Sequence, residues 1–282
     1  KIMRNEGAIL GTGQKLWKRA KQIIPGGNML LSKRAEMFLP DLWPSYFSKA
    51  KGMVKAWCDA LVHVFYPSIC FGCNHELIQG DHFLCLQCQT EMGRTQFESI
   101  RNNPVEKLFW GRADIQCAAS TFYYIDKTPL QQIVHHIKYR QEKELGIHMG
   151  EIMGIHGSEL FTEFETELCI PMPLHPKKEY KRGYNQASLL CEGIFKQTGI
   201  PYNEKALVRN ENTRTQTKKS RIERWKNVAS VFDVIEPLVI NDKHVVVVDD
   251  VITTGASTEA CVNTLMQHGA KTVGIYSLAF TL

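Results

Sequence analysis

Residues 244–258 read HVVVVDDVITTGAST. Four valines run into two adjacent carboxylates, Asp249 and Asp250, and residues of little side-chain bulk follow. A short unbroken apolar run is the pattern of a strand buried on both faces, as in a parallel sheet. In open α/β sheets, ligands bind beyond the carboxyl ends of the strands, and the two aspartates stand at that place. Thr253, Thr254, Gly255, Ala256, Ser257 and Thr258 then lead into a helical stretch over 256–269, closed by Gly269. Small residues let backbone N–H groups approach an anion, and the helix N-terminus adds its partial positive charge. The hydroxyls of Thr253, Thr254, Ser257 and Thr258 are further donors. The segment therefore reads as a phosphate cradle beside two carboxylates that can accept hydrogen bonds from vicinal hydroxyls, a fit for a ribose 5-phosphate. The plainer alternative is a strand ending in a solvated acidic turn ahead of a Thr/Ser N-cap. Neither Gly-Lys-Ser/Thr nor Gly-x-Gly-x-x-Gly follows the strand, so this is not a Walker loop or a dinucleotide fingerprint.

The same kind of alternation runs through the last two-thirds of the chain. Strands are expected over 114–124, 167–174 and 272–280, and helices over 129–139 and 185–199. In the first helix Leu130, Ile133, Val134 and Ile137 share one face. The order predicts an α/β domain with a mainly parallel sheet.

Ahead of it, Cys70-Phe-Gly-Cys73 and Cys85-Leu-Gln-Cys88 are separated by eleven residues. Two thiolates two residues apart on a tight turn can meet one ion, and two such turns close a tetrahedral shell. Gly72 relieves the first turn. Two disulfides or free thiols are the alternative, disfavoured in a reducing compartment. A shell of Cys70, Cys73, Cys85 and Cys88 leaves no open coordination position, so structural Zn²⁺ is expected, and His75 and His82 are not needed. Cys58, Cys117, Cys169, Cys191 and Cys261 lie among apolar neighbours and are expected in the core.

The chain has 282 residues, 44% hydrophobic and 22% charged, with a net charge of +5. No run approaches the roughly 18–20 apolar residues of a membrane span, and the first residues lack the apolar core of a secretory signal. A cytoplasmic protein is expected. Residues 1–52 hold ten Lys/Arg against three Asp/Glu, a net of +7, so the remainder is at −2. Net charge thus gives the main body no case for nucleic-acid binding; local patches must carry it. One patch is KKEYKRGYNQ (177–186), with Lys181 and Arg182. Another lies in 205–226, where eight Lys/Arg meet two Asp/Glu, including Lys218, Lys219, Arg221 and Arg224. The second is read as a mobile lid, a nucleic-acid contact with Trp225 as a stacking face, or a solvated linker.

Three blocks follow: 1–52, an extension; 53–110, a helix with Trp57, Leu61 and Phe65 on one face plus the cysteine ribbon; and 111–282, the α/β domain. Residues 1–52, with GQKLWKRAKQIIPGG at 13–27, resemble the start of class III pyridoxal-phosphate aminotransferases of the glutamate-1-semialdehyde type. No large domain or Schiff-base lysine follows, so that activity is not expected. Met53 resembles a natural start, and residues 1–52 are read as a fragment fused upstream, an erroneous gene model or a genuine extension.

The 244–258 segment resembles the phosphoribosyl pyrophosphate (PRPP) motif of type I phosphoribosyltransferases. With the four-cysteine ribbon, HHIKYRQEKELG (135–146) and PMPLHPKKEYKRGYNQASLL (171–190), residues 53–282 resemble the ComF family of competence-associated phosphoribosyltransferase-like proteins. The resemblance implies a type I phosphoribosyltransferase fold behind a zinc ribbon. It implies Asp249 and Asp250 at the ribose hydroxyls, Thr253, Thr254, Gly255, Ala256, Ser257 and Thr258 at the 5-phosphate, and Lys138, Tyr139 and Arg140 at pyrophosphate with Mg²⁺. Members are linked to natural transformation, which implies single-stranded DNA and competence proteins as partners. Two functions follow as expectations: phosphoribosyl transfer to an unidentified acceptor, or a non-catalytic single-stranded DNA-binding uptake factor.

Overall fold

Val245, Val246, Val247 and Val248 are fully buried at the middle of the molecule. The structure, a computed structural model, describes residues 69–77, 83–209 and 231–281. The extension 1–52, the Trp57–Leu61–Phe65 face, His82, and Lys218, Lys219, Arg221 and Arg224 lie outside the described residues.

In chain order the elements are α1 (Leu86–Glu91), α2 (Pro104–Leu108), β1 (Cys117–Tyr123), α3 (Pro129–Tyr139), α4 (Lys143–His156), α5 (Ser158–Glu163), β2 (Leu168–Pro171), α6 (Pro176–Arg182) and α7 (Gln186–Thr198). Then come β3 (Leu207–Arg209), β4 (Phe232–Val234), α8 (Pro237–Ile240), β5 (His244–Ile252), α9 (Ala256–Gln267) and β6 (Thr272–Phe280). Four strands form one sheet in the order β1-β6-β5-β2. Every pairing in it is parallel, as the uninterrupted apolar runs require. β3 and β4 form a separate antiparallel pair.

Strand β5 runs past the two aspartates. Val251 and Ile252 pair with Ala279 and Phe280 of β6. The expectation that the strand stops at Asp250 is corrected by two residues, because two more apolar side chains continue the ladder. Helix α3 has the expected bounds, and α7 ends at Gly199 in the left-handed conformation, φ 74°. That backbone favours glycine and closes the helix.

Helices α4 and α7 cross at glycines. A Cβ on Gly150 would lie 2.3 Å from the Leu190 carbonyl oxygen, and one on Gly193 would lie 2.1 Å from that of Ile147. The two backbones are thus in direct contact, which fixes where α7 begins.

The cysteine-bearing residues share this core: Cys70, Leu77, Leu84, Cys88 and Met92 belong to the same buried cluster as the sheet. Glu98 also enters it, 6% exposed. The Tyr276 hydroxyl lies 3.2 Å from Glu98 Oε1 and 3.1 Å from the Met153 carbonyl, and accepts from Thr121 Oγ1 at 2.8 Å. One hydroxyl hydrogen cannot serve both acceptors fully, and Glu98 Oε2 has no hydrogen-bond partner among the described residues, only the Arg94 guanidinium at 3.8 Å. Burial pushes Glu98 above the usual carboxylate range, with Arg94 and Tyr276 pulling it partly back. A raised folded-state pKa contributes stability below the unfolded value and loses it as pH rises through the folded one. Glu98→Gln, which keeps the shape and supplies a donor for Tyr276, should therefore raise the melting temperature by a few degrees at pH 8. The gain should shrink as the pH falls through the raised folded value and be gone below the ordinary glutamate value; thermal melts from pH 8 down to about pH 4 check it.

Candidate phosphate and ribose site

The carboxyl end of β5 gathers the predicted residues. Asp250 Oδ2 accepts from Lys138 Nζ at 2.8 Å and from Gln186 Nε2 at 3.2 Å. Lys138 comes from the last turn of α3 and Gln186 from the first turn of α7, so the two helices converge on one carboxylate. Asp250 remains 16% exposed. Successive strand residues point to opposite faces, and Asp249 takes the other side. Its Oδ1 folds back to accept from the Asp250 N–H at 2.8 Å. It lies close enough to Cys261 of α9 to help raise that thiol, after burial. Burial, and then Asp250 beside it, push Asp249 well above the usual carboxylate range. Asp250 is tied to the backbone in the same way, its Oδ1 accepting from the Val251 N–H at 2.7 Å, so each acid keeps its second oxygen for other partners.

The cradle follows at once. Gly255, at φ 70°, is the N-cap of α9, and no side chain caps that helix. Its first N–H groups therefore have no intrahelical partner. Thr253, Thr254, Ala256 and Ser257 are exposed around it, whereas Thr258 is buried. A Cβ on Gly255 would meet the Phe109 ring at 2.9 Å, so the ring supports the loop from beneath. Arg112 braces it from the side. Its Nη1 donates to the Thr254 and Leu108 carbonyls, each at 3.1 Å, and its Nε and Nη2 donate to Glu259 Oε2 at 3.1 and 2.6 Å.

Beyond Lys138 the surface is basic and aromatic. Lys138, Tyr139, Gln141, Lys178, Arg182 and Tyr184, with Lys181, line a pocket of about 280 Å³. The Arg182 guanidinium lies 5.4 Å from the Tyr139 ring centre, and Lys143 Nζ lies 5.4 Å from that of Tyr184. The Tyr184 hydroxyl donates to the Ile137 carbonyl and ties α7's entry to α3. Arg140 stands exposed at the end of α3. The residues expected at pyrophosphate and the Lys181–Arg182 patch expected at nucleic acid therefore form one continuous surface. Helix α6, which carries that patch, buries no residue. Tyr180 is 93% exposed.

Two buried atoms have no hydrogen-bond partner among the described residues: Oε1 of Gln186, whose Nε2 donates to Asp250, and Nη1 of Arg182, whose guanidinium lies over the Tyr139 ring. Gln186 itself is 5% exposed. An unpaired acceptor and donor at such a place cost stability unless a ligand engages them. Gln186, Arg112 and Phe109 were not expected as site residues. Gln186 stands in the quoted KKEYKRGYNQ stretch, but nothing in the spacing ties it to Asp250. Arg112 and Phe109 carry no local signal.

The four thiols meet as expected. Their sulfur atoms lie within 4.8 Å of one another, with Cys73 and Cys85 at 3.7 Å. Tetrahedral Zn–S bonds of about 2.3 Å imply sulfurs about 3.8 Å apart. The backbone N–H groups of Gly72 and Cys85 point at Cys70 Sγ, at 3.4 and 3.3 Å. Burial raises the Cys70 thiol, but these N–H groups outweigh it and bring it down to about 7. The spacing of the four sulfurs fits a tetrahedral metal ion such as zinc.

A family model described as a phosphoribosyl transferase domain matches residues 207–281. The DNA utilization protein YhgH of Escherichia coli (strain K12) is 28% identical over 159 residues, 55% of this chain and 68% of that protein. Competence protein F of Haemophilus influenzae is 23% identical over 226 residues, 79% of this chain and 94% of that protein. Competence protein ComFC of Streptococcus pneumoniae is 30% identical over 121 residues, 43% of this chain and 51% of that protein. Among solved structures, glutamine PRPP amidotransferase from B. subtilis matches at a TM-score of 0.36 and 22% identity, over 47% of this chain and 26% of that one. Among the described residues, no helix is long and apolar enough to cross a membrane.

Proposed function

We propose that this chain, which carries a phosphoribosyl transferase domain and has competence and DNA-utilization proteins as homologues, binds PRPP at the carboxyl end of its parallel sheet and transfers the phosphoribosyl group to an acceptor. One observation carries the reading. Asp250, already engaged by Lys138 at 2.8 Å, stands five residues before a glycine-hinged helix start with no side-chain cap. The N–H groups over 254–258 would hold the 5-phosphate, and Asp249 and Asp250 would accept from the ribose hydroxyls. Lys138 would exchange Asp250 for the pyrophosphate, with Lys178, Lys181 and Arg182 adding charge around it. The bond from the anomeric carbon to pyrophosphate breaks, with its electron pair leaving on pyrophosphate. The acceptor's nucleophile forms the new bond and gives up its proton. Mg²⁺ bound with PRPP supplies further neutralisation of the leaving group. Zn²⁺ suits the four thiolates and leaves no open position for chemistry.

A second reading has its own support. Helix α6 contributes nothing to the core, yet it presents Lys177, Lys178 and Lys181 beside the exposed Tyr180. Cations interleaved with an aromatic ring suit a single-stranded nucleic acid, and the relatives' names point to DNA. The function would then be a PRPP-responsive DNA-binding factor.

The test is calorimetry with PRPP and Mg²⁺, followed by a pyrophosphate-release assay with candidate acceptors. PRPP binding with release supports transfer. Binding without release, together with oligonucleotide affinity that falls steeply with salt, supports the second reading. Absence of PRPP binding defeats the site assignment.

A further inference from the structure

The cysteine turns are seated on the helix that delivers Lys138. Gly72 lies between Cys70 and Cys73, and a Cβ on it would fall 2.8 Å from Cys88 Sγ and 3.0 Å from Pro129 Cβ. Turn, thiol and the first residue of α3 therefore meet at one point. Beside it the Phe71 ring packs edge-on against His136, centroids 5.1 Å apart and planes at 74°. The Phe71 N–H donates to the Phe83 carbonyl at 3.0 Å, which joins the two turns. Phe83 in turn lies 5.0 Å from the His148 ring of α4.

The contact is made at a cost. His136 Nδ1 is buried there with no hydrogen-bond partner among the described residues, and an unsatisfied buried polar atom is unfavourable. The front of α3 is not otherwise fixed by its cap, because Thr128 makes no side-chain capping bond. Two residues beyond His136 is Lys138, held to Asp250.

We propose that Phe71 is a positioning residue: with metal in the four thiolates it seats α3 so that Lys138 meets Asp250, and metal retention and occupancy of the ribose-phosphate site are coupled through it. Without the ion the thiolates repel one another and the turns lose their common anchor. Leu130, Ile133, Val134 and Ile137 still bury their face of α3, so the helix stays on the sheet and its placement along the sheet is what changes. Coupling of this kind is reciprocal: whatever favours the seated α3 must also tighten the metal by the same factor. The ribose-phosphate half of the statement rests on the proposed function, whereas the link between the cysteines and the Lys138–Asp250 pair does not.

The experiment uses the zinc-loaded full chain and a competing chromogenic chelator to read zinc affinity. In a first arm, with no ribose phosphate present, Lys138→Gln and Asp250→Asn should each weaken zinc retention about fivefold, the lower end of typical couplings. Phe71→Leu, which keeps apolar bulk in the ribbon, should abolish that difference. In a second arm, saturating PRPP with Mg²⁺ gives the seated Lys138 pyrophosphate, a more highly charged partner than Asp250, and should tighten zinc about fivefold in the parent chain while leaving Phe71→Leu unmoved. A Phe71 that merely stabilised the ribbon would lower zinc affinity in every background equally. Unchanged zinc affinity in Lys138→Gln and Asp250→Asn, an equal shift in the Phe71→Leu background, or a chain that takes up no zinc would overturn the proposal. If calorimetry finds no PRPP binding, the functional reading fails while the first arm still decides the coupling.

Discussion

Replacing Asp249 and Asp250 together by asparagine should weaken PRPP binding by at least about 100-fold. Hydrogen bonds to charged groups contribute roughly 1.5–3 kcal/mol each, and about 1.4 kcal/mol is a factor of ten. Two such bonds to ribose hydroxyls therefore span about two to four decades. The fold should tolerate the change. Burial and the neighbouring acid already push Asp249 up, so its neutral replacement removes a desolvation cost. The Asp250 N–H can still donate to an asparagine oxygen at position 249, as it does to Asp249 now. Single variants should differ. Asp250→Asn also loses the charged partner of Lys138 and should have the larger effect on affinity, while Asp249→Asn should lose the contribution of one ribose hydrogen bond. Calorimetry on the three variants, with melting temperatures alongside, measures both quantities. Unchanged affinity in the double variant would remove the ribose from this place.

Gly193→Ala should be the most damaging single methyl in the described chain. The new Cβ would fall 2.1 Å from the Ile147 oxygen, 2.5 Å from the Glu151 nitrogen and 2.6 Å from the Gly150 carbonyl carbon. All three are backbone atoms of α4, so no side chain can swing away. Overpacking a core costs about 1–3 kcal/mol even where side chains relax, so about 3 kcal/mol or more is expected here. That corresponds to a fall in melting temperature of roughly 6–12 °C. A functional effect should come with it, because α7 starts with Gln186 against Asp250. Moving α7 off α4 moves that contact. A melting temperature within a degree of the parent would show that the two helices do not touch in this way.

Much of the site was legible in the residues. The strand, the acid pair and the small-residue loop leave a local pattern, because burial dictates the apolar run and a left-handed glycine opens the helix that follows. The bounds of α3 were legible for a similar reason: Pro129 starts it, and four apolar residues mark its buried face. Four cysteines in two closely spaced pairs announce their own meeting. What could not be read was made by tertiary packing. Gln186 reaches Asp250 because α4 and α7 cross at glycines. Gly146, Gly150 and Gly154 recur every fourth residue on α4, a visible seam whose partner only the fold identifies. Arg112 and Phe109 support the cradle from a segment more than a hundred residues away in sequence. The seat of Phe71 on His136 joins two stretches that have no pattern in common. The basic positions at 218, 219, 221 and 224 lie outside the described residues, and the lid, nucleic-acid and linker readings of them rest on the sequence.

Helix α6 has one more implication. Its seven residues are capped at both ends, by the His175 ring at the front and by Gly183 behind, and none of them enters the core. Folding therefore places almost no demand on which side chains it displays between those caps. Randomising positions 177, 178, 180 and 181 would give a library whose members nearly all melt alike. Any sorting of that library by oligonucleotide or PRPP would then report recognition alone, unmixed with losses from misfolding.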